Sequence, residues 1–534
     1  MPAPRKLVAS PLDHDDPAVG TRIPVAPTPV VVPEDSCHNG AVGRPSGVIG
    51  MTDDRASDVL VINGIDVDTG EYLTPETTVA ALAGTLRADP VVGTETSDLR
   101  RRRQQDEDHF GVVYGRDPQD LASVGWGIVV PPEPDPAVLE ALEPLLRRRE
   151  EEAGGLFQRL EYRPGETKDD FLARHGMGPG TVDPRKVPYY LMILGTPDQV
   201  PFEVQYQLGV SYAVGRLDLQ DLAACSAYTT SVIDAERRAD ITTSPREVPA
   251  GLPARRLHFF ATRNPGDTAT ALSASRLVEP LDEELRATAA SWDVTRDIGE
   301  SATRSRLEDL LFGQGAPDVL FTASHGVGGG STRREVAGAL LCQDWPGPLT
   351  ARGPLDERHY LAADHVPAAT PVGPKVVFSF ACFGAGTPRV SDYPGGPDGA
   401  ETMAETAFTA RLPQRLLGAP SGGALAFVGH VDRAWTCSFL WKGMSAQIAP
   451  FESMLLAVMD GVRIGAAMES LTSRHAEVAS ELAERMDAFR RLGARIDDAD
   501  LVGLWTAMHD ARAYVVLGDP AVRVAPHGSA GIAG

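Results

Sequence analysis

A histidine and a cysteine that could form a nucleophilic pair stand at the ends of two apolar runs. Val319-Leu320-Phe321-Thr322-Ala323 leads into Ser324-His325-Gly326, and Val376-Val377-Phe378-Ser379-Phe380 leads into Ala381-Cys382-Phe383-Gly384. A thiol attacks carbonyls as the thiolate, which needs a base or a positive neighbour, and a histidine on an adjacent strand end supplies it. Glycine close behind each residue lets backbone approach a substrate and present amide donors to an oxyanion. The separation, 382 − 325 = 57 residues, fits one crossover connection and its loops.

The other candidates for these roles are weaker. His175-Gly176 lacks a preceding strand and reads as a turn, while His365 and His430 compete only weakly as bases. Cys37, Cys225 and Cys342 fit an arm, a helix and a buried strand, where a thiol serves as a small hydrophobe. Cys437, in Trp435-Thr436-Cys437-Ser438, lacks a strand end flanked by glycine. No HExxH, P-loop or GxSxG element is present, so no metal or phosphate site is expected and no cofactor is required.

The elements that must position this pair are short apolar runs alternating with helical patterns. Strands are expected at Tyr189–Gly195, Val210–Leu217, Leu257–Thr262, 319–323, 376–381 and 424–428, with helices over 219–237 and 273–288. Continuous apolar runs separated by helices describe parallel strands covered on both faces, so the fold class is α/β. In such sheets functional groups gather beyond the carboxyl ends of the strands. Residues 1–55 are rich in Pro, Gly and Asp without a period and read as an extended or disordered arm. A proline- and charge-rich stretch at 243–253 reads as a boundary. The basic run Arg100–Arg103 reads as solvated surface, with a processing site as the sharper alternative.

Composition bounds the function. The chain has 534 residues, with 50 Lys and Arg against 73 Asp and Glu, a net charge of −23. That acidity argues against nucleic acid and anionic membranes as partners. No stretch of about 18 apolar residues occurs, so no membrane span is expected. Five cysteines without a CxxC pair suggest reduced thiols, and the N-terminus lacks the apolar core of a signal peptide. A cytoplasmic address is expected.

Taken in order along the chain, these segments resemble the gingipain-type branch of the caspase-like cysteine peptidases. Tyr189 to Val200 resembles that family's strand and Gly-Asp turn, and Tyr212-Ala213-Val214-Gly215-Arg216-Leu217 its Gly-Arg strand. Thr322–Gly326 matches its His-Gly loop, Phe380–Gly384 its nucleophile loop, and Gly423–Val428 with Trp435 the strand and tryptophan bordering its specificity pocket. Val516-Leu517-Gly518-Asp519-Pro520-Ala521 is similar to its terminal Gly-Asp-Pro motif. The resemblance covers roughly residues 186 to 525. It implies a mostly parallel sheet with helices on both faces and two tandem caspase-like subdomains, a non-catalytic one at 56–250 and a catalytic one at 251–525, before a flexible tail at 526–534. The 57-residue spacing is also close to the roughly 50 residues between histidine and cysteine in caspases.

The chain departs from the family at two places. No acid stands at 272–275, where the arginine-specific members start a helix with aspartate, and Arg263-Asn264 stand where an acid orienting the histidine should fall.

The expected function is a cytoplasmic cysteine endopeptidase acting on a restricted protein substrate, with an activating signal or regulatory partner and a role in defence or cell death suggested by the resemblance. Cys382 is the expected nucleophile, His325 its acid–base partner, and the amides of Gly326 and Cys382 the oxyanion donors. Trp435, Asp267, Arg263 and Ser273 are the substrate-binding candidates. Asp267 would favour a basic residue before the cut and Arg263 an acidic one. Trp435 with Ser273 and Ala274 would favour a neutral one. Two rivals are a caspase-like scaffold or adaptor with a weak or silent site, and transfer to an acceptor other than water.

Overall fold

The computed structural model describes residues 60, 62–73, 77–88, 111–178, 180–243, 255–328, 334–394, 400–440 and 446–524. The expected arm at 1–55, the Arg100–Arg103 run and the tail at 526–534 lie outside the described residues.

The apolar runs form strands where the sequence places them. In chain order these are β1 (Gly64–Asp66), β2 (Trp126–Val130), β3 (Phe157–Glu161), β4 (Tyr190–Leu194), β5 (Ala213–Leu217), β6 (Arg255–Ala261) and β7 (Trp292–Ile298). They continue with β8 (Val319–Ala323), β9 (Gly326–Gly328), β10 (Ala339–Leu341), β11 (Tyr360–Leu361), β12 (Val376–Phe380), β13 (Ala426–His430) and β14 (Tyr514–Gly518). Ten of them make one sheet in the order β3-β2-β4-β5-β14-β13-β12-β8-β6-β7. Every neighbouring pair is parallel except β13 with β14. Read inward from each edge, both halves begin with their second strand, then their first, third and fourth. Strands β4, β5, β8, β12, β13 and β14 are buried at every position, so both faces are covered. The result is an α/β fold with a large, mostly parallel sheet flanked by helices, consistent with a caspase-like fold.

Two findings bear on the expected halves at 56–250 and 251–525. Strand β14, from the C-terminal end, lies between β5 and β13 and joins the halves into one sheet. Strand β1, grouped by sequence with the N-terminal half, pairs in parallel with β9 in a second sheet of order β1-β9-β10-β11. No helix among the described residues is long and apolar enough to cross a membrane.

The terminal Gly-Asp-Pro motif is a buried anchor. The Asp519 carboxylate accepts hydrogen bonds from Arg149 Nε at 2.7 Å, Trp126 Nε1 at 2.9 Å and the Ala521 amide at 2.9 Å. Arg149 also pairs with Glu236 at 2.5 Å. Burial alone would lower the Arg149 guanidinium, but Asp519 and Glu236 hold it well above its usual value. Gly215 of β5 permits this closure, because a Cβ there would lie 2.3 Å from Gly518 O.

Removing one partner of a buried ion pair strands the other charge, at a cost of about 3–5 kcal/mol. Asp519→Ala should lower unfolding free energy by that amount in urea titration. Glu143→Ala, which breaks an exposed pair with Arg147, should cost less than about 0.5 kcal/mol. Equal losses in the two variants would show that the network is not an anchor.

Candidate active site

The parallel register of β8 with β12 sets Ala323 opposite Phe380. His325 and Cys382 each lie two residues beyond these strand ends, so both emerge at one level of the sheet edge. Their backbones touch directly: a Cβ at Gly326 would sit 1.8 Å from Cys382 O, so only glycine fits there. Immediately after the thiol, Phe383 adopts φ 55°, a left-handed conformation costly for a bulky residue, and its amide donates to Asp432 O at 2.7 Å.

His325 is fully buried, and its Nε2 lies 2.8 Å from Asp267 Oδ2. A carboxylate only accepts, so Nε2 carries the proton and Nδ1 holds the basic lone pair. That Nδ1 is buried and has no hydrogen-bond partner. Asp267 is itself fixed from several sides. It caps the helix α1 (Thr268–Ser273) by accepting from the Thr270 amide, its Oδ2 also accepts from the Thr270 hydroxyl, and Tyr72 Oη donates to Oδ1 at 2.5 Å. Burial alone would raise this carboxyl, but His325 beside it, with hydrogen bonds from His325, Thr270 and Tyr72, holds it well below the usual carboxylate range. The rings of Tyr72 and Trp345 meet the imidazole edge-on at 5.8 Å and 6.0 Å. Trp345 is held in turn by Asn264, whose amide donates to Cys342 O and Trp345 O at 3.2 Å and 3.0 Å.

Cys382 is fully buried, and its sulfur lies 3.1 Å from the Ala434 amide and 3.7 Å from Ala434 O. Burial pushes the thiol up, so it is neutral in this closed arrangement. The amides of Cys382 and Gly326 both donate to one acceptor, Asn63 O, at 3.1 Å and 3.3 Å. Such a pair of converging N–H groups is what an oxyanion requires.

Of the remaining candidates, Trp435 is close to the site. It follows Ala434, makes an antiparallel bridge with Ile62, and packs against Tyr393 with the rings tilted by 40° and their centroids 4.6 Å apart. Arg263 and Ser273 make their polar contacts elsewhere: Arg263 pairs with Glu279 at 2.7 Å near the surface, and the Ser273 hydroxyl donates to Thr270 O. Asp267, a substrate-binding candidate by sequence, is engaged with His325, Thr270 and Tyr72. The expected helix over 273–288 in fact begins at Thr268 and passes through a π-helical turn at Ala274–Val278 before continuing over Glu279–Thr288. An acid does stand at the true helix start, and it meets His325, the contact expected of an acid at 263–264. Asp267-Thr268-Ala269-Thr270 carries an N-cap signature that could have shown this. Asn63, Tyr72 and Ala434 carried no such signal, because they reach the site through long-range pairing.

The four described cysteines, Cys225, Cys342, Cys382 and Cys437, are free thiols. His430 is engaged by Asp432 O and Asp510 O at 3.3 Å and 3.1 Å.

No family model matches the chain, and no curated protein matches it. Among solved structures, one described as "Structure of Protease" is similar at 11% identity with a TM-score of 0.42, covering 74% of this chain and 78% of its own. The Saccharomyces cerevisiae separase–securin complex is similar at 10% identity with a TM-score of 0.24, covering 62% of this chain and 16% of its own. The chemistry of the site rests on the geometry above and not on these likenesses.

The depressed Asp267 carboxyl gives a pH test. A carboxylate whose folded value lies below its unfolded value of about 3.9 stabilises the fold above that pH, and the contribution is lost as pH falls through the folded value. The stability gap between wild type and Asp267→Asn should be constant above about pH 5 and shrink below about pH 4. Urea unfolding from pH 3 to 7 measures it. A gap that does not change with pH would contradict the assigned Asp267–His325 pair.

Proposed function

We propose that the chain is a cysteine endopeptidase of caspase-like design acting on a restricted protein substrate. The observation that carries this reading is the convergence of the Gly326 and Cys382 amides on a single carbonyl oxygen, beside a thiol and a buried Asp–His pair. Cys382 is the nucleophile. His325, with its protonated Nε2 held by Asp267, takes the thiol proton on Nδ1 and later gives it to the leaving amine. The two amides stabilise the tetrahedral oxyanion. Asp267 is a positioning residue, not a specificity residue, and Trp435 borders the substrate strand. Under this reading residues 56–250 form a non-catalytic subdomain and 251–525 the catalytic one, sharing one sheet. Free thiols suit a reducing, cytoplasmic setting.

The buried, neutral thiol favours a second reading, a scaffold whose site is silent. Labelling with a thiol-reactive peptide probe separates the two: the peptidase reading requires selective modification of Cys382, and modification of Cys437 or of no thiol favours the scaffold. In peptide-hydrolysis assays Cys382→Ala should abolish turnover while the variant still unfolds cooperatively in urea. His325→Ala should lower kcat by about 10²–10⁴-fold. Asp267→Asn should lower kcat by up to about 10⁴-fold with a much smaller change in KM, because it acts through the orientation of the imidazole. Unchanged kcat in Asp267→Asn would remove the positioning role.

A further inference from the structure

Residues 62–66 run through the candidate active site, and the way they do so identifies more than a structural strand. The oxygen in the two-amide site is the carbonyl of Asn63. On one side of it, the Asn63 amide donates to Ala434 O at 3.2 Å, and Ile62 bridges Trp435 in antiparallel fashion. Ile62 packs against an apolar cluster that includes Trp435, Tyr393 and Trp505. Addition of an extended segment to an exposed backbone edge, with side chains in pockets, is a standard mode of peptide recognition. On the other side, Gly64 lies against the thiol: a Cβ there would be 3.3 Å from Cys382 Sγ and 3.2 Å from Cys382 Cβ. Residues 64–66 then pair in parallel with 326–328. The Asn63–Gly64 peptide bond is thus pinned from both flanks between the oxyanion donors and the nucleophile.

We propose that this bond is the protein's own processing site, cut by Cys382, and that the same cleft takes substrates with asparagine or a neutral side chain of its size before the scissile bond. The proposal rests on the peptidase reading of the site and adds its substrate class.

A strand selected only for stability would not carry these residues. Asn63 is fully buried, and neither its Oδ1 nor its Nδ2 has a hydrogen-bond partner. A buried amide left without partners is destabilising where an apolar residue of its size would not be. The burden is acceptable where the segment is a ligand of the cleft, destined to leave it. The same observation sets specificity. The surroundings offer the Asn63 amide no charged partner, so an arginine, lysine or aspartate in its place would bury an unpaired charge. Glycine after the bond is needed by the close approach of the thiol.

The reaction balances with water as co-reactant. Cys382 gives its proton to His325 as its sulfur bonds to the Asn63 carbonyl carbon. The carbon–nitrogen bond to Gly64 breaks as His325 protonates the Gly64 nitrogen. Water, deprotonated by His325, then hydrolyses the thioester, leaving the Asn63 carboxylate and the free thiol. Residues 64–66 stay paired with 326–328 after the cut, whereas departure of Asn63 uncovers the two amides and the sulfur. Until then the segment is also the plug that keeps other substrates out.

The test uses the full chain and its Cys382→Ala variant, followed by intact mass and N-terminal sequencing. The wild type should divide between Asn63 and Gly64, giving a new terminus Gly64-Ile65-Asp66, with a rate constant unchanged on 100-fold dilution; Cys382→Ala should stay whole. Asn63→Arg should slow the cut at least about 100-fold, as expected for burying an unpaired charge. In a second arm, the processed protein is given peptides containing Ile-Asn-Gly-Ile, with Arg or Asp replacing Asn. The Asn peptide should be cut about 100-fold faster in kcat/KM. Peptide cleavage by a chain that never cuts at 63–64, a cut elsewhere, or a preference for Arg or Asp would overturn this inference and leave the peptidase reading standing. No self-cleavage, no peptide cleavage and no labelling of Cys382 would overturn both.

Discussion

The parallel hydrogen bonding of β8 with β12 is the constraint on which the site depends. It sets Ala323 against Phe380, and one residue, Ser324 or Ala381, then separates each strand end from its reactive side chain. A slip of one residue would invert every side chain along a strand. It would also separate the Gly326 and Cys382 amides that converge on one oxygen. The register is enforced by strands buried at every position, whose apolar side chains fill the covered sheet on both faces. Core packing and site geometry are therefore one requirement, and the Asp519 anchor that closes β14 beside β5 supports both by fixing the far side of β13.

The second constraint is electrostatic. A carboxylate, an imidazole and a thiol are all withdrawn from water within a small volume, and burial opposes the charged form of each acid. Asp267 escapes that penalty because the Thr270 amide and hydroxyl, Tyr72 and His325 all direct hydrogens at it. Cys382 does not, since its burial outweighs the Ala434 amide and the Arg433 charge near it, and the thiol is pushed up. The segment carrying Asn63 and Gly64 also carries Tyr72, so the same short stretch covers the thiol and braces the Asp–His pair. A cut between Asn63 and Gly64 would uncover the thiol while leaving Tyr72 on the retained side, so the open form keeps its braced Asp–His pair.

Legibility from sequence followed the range of the interactions. The strands around His325 and Cys382 were readable because a buried parallel strand is a local apolar run. Their pairing was readable because glycine follows each where backbones touch. The role of Asp267 was not, because the helix it caps starts earlier than its periodicity suggests. The π-helical turn at Ala274–Val278 breaks the apolar phase between Thr268–Ser273 and Glu279–Thr288, so the first short segment does not read as one helix with the second. Arg263 lies on the loop after β6 and Ser273 is a small residue beyond it, but their side chains turn to Glu279 and to Thr270 O. Asn63 and Gly64 were the least legible of all. An Asn-Gly pair after a short apolar run looks like a turn, and nothing local shows that a strand from near residue 60 will cross to one beginning at 326.

The central claim, that Cys382 is a nucleophile served by an oxyanion site, is tested most directly by the crystal structure of the processed chain with a peptide aldehyde ending in Ile-Asn. The account predicts a covalent bond from Cys382 Sγ to the aldehyde carbon, with the resulting oxygen about 2.7–3.1 Å from both the Gly326 and Cys382 amides. It also predicts antiparallel pairing of the peptide with Ala434 and Trp435. A peptide attached to Cys437, or one on Cys382 with its oxygen turned away from the two amides, would contradict it.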